Sequence, residues 1–111
     1  MKLLIVGSRS ISNFDLTGYI PADTDYIISG GAKGIDTIAE QYADLHGIKK
    51  TVIRPQYEKF GKVAPLKRNE QMVELCDAVL AIWDGKSKGT KYTVSYAKKK
   101  DKKIIEVIVC K

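Results

Sequence analysis

Histidine, cysteine and proline are scarce in this chain, and each scarcity excludes a class of chemistry. A single histidine, His46, leaves a histidine-based metal site or catalytic triad without partners. The two cysteines, Cys76 and Cys110, have no metal-ligand spacing and lie in apolar contexts. They read as reduced core or edge thiols in a cytoplasmic protein. Three prolines, 44% hydrophobic and 29% charged residues fit an ordinary globular domain, and 111 residues suffice for one core only. Long hydrophobic runs are missing as well. Leu3 to Val6 and Ala78 to Trp83 are far shorter than the roughly 20 residues that cross a bilayer. The opening "MKLLIVG" runs straight into a glycine turn, so it reads as a buried strand and not a signal peptide. No membrane partner, metal or cofactor is expected.

The net charge is +6 and unevenly distributed. Residues 1–85 carry ten Lys/Arg against eleven Asp/Glu, whereas residues 86–111 carry nine against two. The densest run is "KKKDKK", Lys98 to Lys103. A nucleic-acid footprint would have this charge. So would a solvated helix end whose lysines offset the macrodipole, and the absence of interleaved aromatics favours that reading.

Short apolar segments recur with helical ones between them. "KLLIV" (2–6), "YIIS" (26–29), "KTVI" (50–53), "AVLAIW" (78–83) and "IIEVIV" (104–109) read as strands, several without alternation, as strands buried on both faces do. Ile35, Ile38, Ala39, Tyr42 and Ala43 form a helical stripe that Gly47 closes, while Glu40 lies off the stripe in the solvated position. A further helix is expected from about Ala64 to Cys76, with Pro65 in its first turn, and another from Gly89-Thr90 onward. Residues 12–20 leave room for a short helix. The alternation predicts a three-layer α/β/α, Rossmann-like domain over residues 1–111, with a mostly parallel five-stranded sheet in the order 3-2-1-4-5. Ligands of such sheets bind at the carboxyl ends of the strands, where the order switches.

Three loops at those ends combine glycine with hydroxyl or basic residues: "GSRS" (Gly7, Ser8, Arg9, Ser10), "SGGAKGID" (Ser29 to Asp36) and "DGKSKGT" (Asp84 to Thr90). The latter two lead into helices, whose free N–H groups suit phosphate or carboxylate. The dinucleotide fingerprint G-x-G-x-x-G fails, because Ser29 stands at its first glycine and the motif follows the second strand. The P-loop pattern fails too, with Leu80 where its first glycine belongs. Arginine is rare, three against sixteen lysines, and Arg9 and Arg68 sit in or near these loops. Guanidinium grips phosphate bidentately, and a salt bridge from Arg68 to Glu70 or Asp36 is the competing use. Arg54, before Pro55, reads as structural or rim. Asp36 suits a helix cap or a ribose contact, and Asn69 could read a base or fix Arg68. Trp83 and Tyr57 suit packing better than base stacking.

Taken together, "GSR", "SGGAKGIDTIAEQYA", "PQYEKFGKVAPLKRNEQM" and "CDAVLAIWDGKSKGT" resemble, in order and spacing, the YspA/YpsA-related branch of the SLOG superfamily. The resemblance implies a Rossmann-like fold that binds a nucleotide or nucleotide-derived small molecule. Carried over residue by residue, it implies a phosphate-side pocket at Gly30, Gly31, Ala32, Gly34, Gly85, Gly89 and Thr90, with Gly7, Ser8 and Arg9 as the first loop. Arg68 and Asn69 match the family's Arg-Asn pair, and Asp36 its acid. Relatives include the Lonely Guy phosphoribohydrolases, which cleave the N-glycosidic bond of a nucleoside monophosphate. Their acid follows the G-T turn within three residues, where this chain has Lys91, Tyr92 and Thr93. That leaves three readings: a nucleotide sensor, a hydrolase with a displaced acid, or a DNA binder related to DNA-processing protein A. Relatives of this kind pair through helices, so a homodimer is an expected assembly.

Overall fold

A computed structural model describes residues 1–109. Five strands, β1 (Lys2–Gly7), β2 (Tyr26–Ser29), β3 (Lys49–Val52), β4 (Ala78–Trp83) and β5 (Lys103–Ile108), form one sheet in the order β3-β2-β1-β4-β5. Every pairing is parallel. The order is the expected one, and the helices α1 (Ile35–Leu45), α2 (Tyr57–Phe60), α3 (Ala64–Leu75) and α4 (Lys88–Lys99) connect it. The fold is therefore the α/β, Rossmann-like sandwich read from the sequence.

The central strands explain their own composition. Leu3 and Ile5 of β1, with Leu80 and Ile82 of β4, face α1. Leu4 and Val6, with Val79 and Ala81, face α3 and α4. Both faces are dry, so alternation has no reason to appear. Edge strands β3 and β5 carry the lysines and glutamate that a sheet margin tolerates. Ala39 and Ala43 are fully buried, and their small side chains let α1 lie close on the sheet. Trp83 is core, its Nε1 donating to Glu106 Oε2 at 3.0 Å, and Cys76 is buried; Cys110 lies outside the described residues.

One expectation fails here. Residues 12–20 hold no helix. Asp15, Thr17 and Gly18 favour turns over a helical run, and the Thr17 amide bonds Asp15 Oδ1 at 2.9 Å. Ile11 and Leu16, both buried, fill part of the α1-side layer from this irregular crossing.

Candidate functional site

The carboxyl ends of β1 and β4 lead away from each other, and a cleft of about 370 Å³ opens between them. It sits at the switch in strand order. Ser8, 3% exposed, stitches its floor: the Ser8 amide donates to Ile82 O (3.2 Å), Ser8 Oγ accepts from the Asp84 amide (3.3 Å), and Ser8 O accepts from the Ile35 amide (3.3 Å). Those bonds fix the loop that presents Arg9 at the rim. The loop is thus positioned by two strands and a helix at once.

The glycine loop after β2 forms the opposite wall. A Cβ at Gly30 would lie 2.6 Å from Arg68 Nη1 and 2.9 Å from Asp36 Oδ2. At Gly34, where φ is +80°, a Cβ would lie 2.5 Å from Ser8 O and 2.6 Å from Arg9 O. The requirement for glycine at both positions is met by the protein's own atoms. Two amides of the loop are also committed internally, Gly31 N to Ser29 Oγ (3.3 Å) and Ala32 N to Asp36 Oδ2 (3.1 Å). Serine at 29, which broke the dinucleotide fingerprint, ties the loop down, because its Oγ also donates to Glu40 Oε2 at 2.8 Å. Glu40 is therefore half-buried and bonded, not solvated as its place on the helix suggested.

Asp36 lies in the first turn of α1, 8% exposed, with its carboxylate lining the cleft. Burial pushes its pKa up to about 6; the Ala32 amide and the Arg68 guanidinium oppose the rise, and Glu40 adds to it. Arg68, equally buried, places Nη1 on Gly30 O (2.5 Å) and Ile53 O (3.4 Å) and Nε on Asn69 Oδ1 (2.7 Å). It binds the ends of β2 and β3 to α3, with no salt bridge to Glu70 or Asp36. Those bonds use Nε and Nη1 of Arg68 and Oδ1 of Asn69, and both residues line the cleft. Arg68→Ala is expected to destabilise the domain by about 2–4 kcal/mol, since two carbonyls lose a charged donor. It should also raise the Asp36 pKa further, which carboxyl NMR titration would follow; an unmoved pKa would show that Arg68 does not act on Asp36.

The third loop differs from the second. Asp84 Oδ1 accepts from the Lys86 and Ser87 amides (2.8 and 3.1 Å), which hold its carboxylate below the ordinary range. Asp84 is thus spent on shaping the turn. Beyond it, the amides of Lys88, Gly89 and Thr90 at the start of α4 have no acceptor among the described residues. A Cβ at Gly89 would meet nothing within 4 Å. Thr90 and Thr93 are buried beside it, Thr93 Oγ1 donating to Gly89 O at 2.9 Å.

Of the residues singled out in the sequence, Gly7, Ser8, Arg9, Ala32, Asp36, Arg68, Asn69, Gly89 and Thr90 line this cleft. Gly30 and Gly31 line an adjoining hollow, Gly34 starts α1 behind the wall, and Gly85 turns toward β5, away from the cleft. The sequence offered Ser87 only within its loop and Thr93 only as a place without an acid, whereas both line the cleft; Arg54, given a structural or rim role, lines the adjoining hollow. Arginine's rarity already marked Arg54. The lysines of 98–103 lie at the other end of α4, about 18 Å from its start. Among the described residues no group of three His, Cys, Asp or Glu side chains could hold a metal ion, and no helix is long and apolar enough to cross a membrane.

Neither the known family models nor the curated proteins contain a match to this chain. Among solved structures it is similar to DNA processing protein A (DprA) from Streptococcus pneumoniae, with a TM-score of 0.73 and 20% sequence identity. The match covers 98% of this chain and 50% of that one. The shared feature is the Rossmann-like fold. This chain spans about half the length of that protein.

Proposed function

We propose that the chain is a SLOG-superfamily domain of the YspA/YpsA-related branch and that it binds a nucleotide or nucleotide-derived molecule in the cleft between β1 and β4. The observation that carries this reading is the start of α4. The uncommitted amides of Gly89 and Thr90 belong to residues that line the same cleft as Arg9, Arg68 and Asn69. Helix-start amides suit a phosphate, the arginines add charge, and the neutral and acidic groups at Asn69 and Asp36 suit ribose or base. The volume is at the lower end of ordinary small-ligand sites.

Gly89 offers a clean test, because its glycine is not required by the fold. Gly89→Ala places a methyl group in open space at a residue that lines the cleft, in the first turn of a helix, so stability is expected to stay equal or rise by about 0.5–1 kcal/mol. Mononucleotide binding, read by thermal unfolding across a panel of nucleoside monophosphates, is expected to fall at least tenfold. Binding that survives in the stable variant would remove the start of α4 from the site.

One observation favours a second reading, glycosidic hydrolysis. Asp36 is a cleft carboxyl whose pKa is raised to about 6, the range a general acid needs near neutrality. Incubation with nucleoside monophosphates and chromatography for free base decides between the two. Base released by the wild type and not by Asp36→Asn makes the domain a hydrolase; intact nucleotide leaves it a binding domain.

A further inference from the structure

Beside the cleft lies a hollow of about 530 Å³ whose chemistry differs from that of its neighbour. The cleft is rich in hydroxyl, amide and carboxyl groups. The hollow brings together all three arginines of the chain, Arg9, Arg54 and Arg68, with Lys33 and the exposed ring of Tyr57. Arg9, Ala32 and Arg68 line both spaces, so the two share a wall. Arg54 is held in place: its Nη1 donates to Gly31 O at 3.1 Å, and a Cβ at Gly31 would lie 2.6 Å from the same nitrogen. The remaining guanidinium donors of Arg54 are uncommitted. Among the described residues no carboxylate lines the hollow; Asp36, which acts on Arg9 and Arg68, lines the cleft instead. A cationic cluster beside an exposed aromatic ring matches an anion with a flat ring attached, which is the chemistry of a nucleotide.

We propose that the hollow is a subsite for a second nucleotide unit and that the physiological ligand has two nucleosides joined through phosphate. This rests on the cleft being a nucleotide site. The phosphate bridge runs from the start of α4 past Arg9 on the shared wall; one nucleoside occupies the cleft, and the base of the other stacks on Tyr57 beside Arg54 and Lys33. Base–aromatic stacking is commonly worth about 1–3 kcal/mol, which sets the expected effect of removing the ring at about 5- to 150-fold in affinity.

The test is calorimetric titration of the full chain with adenosine monophosphate, NAD, a 3′,5′-linked adenosine dinucleotide and oligothymidylates of increasing length. Both two-nucleoside small molecules, or one of them, are expected to bind more tightly than the monophosphate. Tyr57→Ala and Arg54→Ala should each weaken that ligand while leaving adenosine monophosphate unchanged, and Tyr57→Phe should restore stacking. Tyr57 and Arg54 are exposed, so their loss leaves the core intact. Equal affinity for one and two units, indifferent to Tyr57→Ala, overturns the subsite and leaves the cleft standing. Affinity that keeps rising along oligothymidylates overturns the two-unit limit in favour of a strand. No binding by any probe overturns both the subsite and the cleft.

Discussion

Gly34→Ala is expected to cost the domain about 3–5 kcal/mol and to lower its thermal midpoint by roughly 15–25 °C. Two penalties add. The residue sits at φ +80° and ψ −130°, a region where an L side chain is strained by itself. Its methyl would also meet the carbonyls of Ser8 and Arg9 at 2.5 and 2.6 Å, and these are backbone atoms that cannot rotate aside. Gly18→Ala is the internal comparison: φ is +90° there, but nothing lies within 4 Å, so only the strain of about 1–3 kcal/mol remains. A loss at Gly34 no larger than at Gly18 would show that the β1 loop can lift off α1 freely. The consequence reaches the site, since the same loop carries Arg9.

Asp36→Asn is expected to stabilise the fold at neutral pH, the opposite of most substitutions at a buried polar residue. The folded pKa of about 6 lies above the ordinary 3.8, so the folded state holds the proton more tightly than the unfolded chain. That stabilising contribution is fully present below pH 3.8 and is lost as pH rises through about 6. At pH 7 the ionised carboxylate therefore costs the domain up to ~3 kcal/mol relative to a neutral group of the same shape. Asparagine keeps an acceptor for the Ala32 amide and removes the charge. Midpoints measured from pH 4 to 8 should nearly coincide for the two proteins at the acid end and diverge by up to roughly 15 °C at pH 7. Asp15, Asp25 and Asp84, whose pKa values are lowered, affect both proteins alike and cancel in the difference. A variant that is less stable at pH 7 would mean that Asp36 is held for the fold. Stability given up at a cleft carboxylate is the expected mark of a functional residue.

The sheet was legible because both-face burial removes alternation: Leu3 to Val6 and Ala78 to Trp83 could only be central strands, and their order followed from the connections. The cleft was legible for a related reason, since loops at the carboxyl ends of adjacent parallel strands must meet. What the glycines do was not legible. Gly30 and Gly34 serve Arg68 and the Ser8–Arg9 backbone, contacts that span more than twenty residues of sequence and depend on which loop folds back. Gly89, alike in composition, is the open one. Glu40 was misplaced because helical periodicity describes a face toward the sheet and says nothing of Ser29 reaching up from below. The crossing between β1 and β2 was misread because an apolar residue in a turn-rich segment, Ile11 or Leu16, can bury itself without a helix.

The central claim is that a nucleotide's phosphate rests on the start of α4 at the switch in strand order. Titration of adenosine monophosphate into isotope-labelled protein, followed by backbone amide shifts, tests it most directly. Saturable shifts are expected, largest at Gly89, Thr90 and Arg9, with Lys98 to Lys103 unmoved at the far end of the helix. Shifts confined to those lysines, or none at all across the cleft, would contradict it.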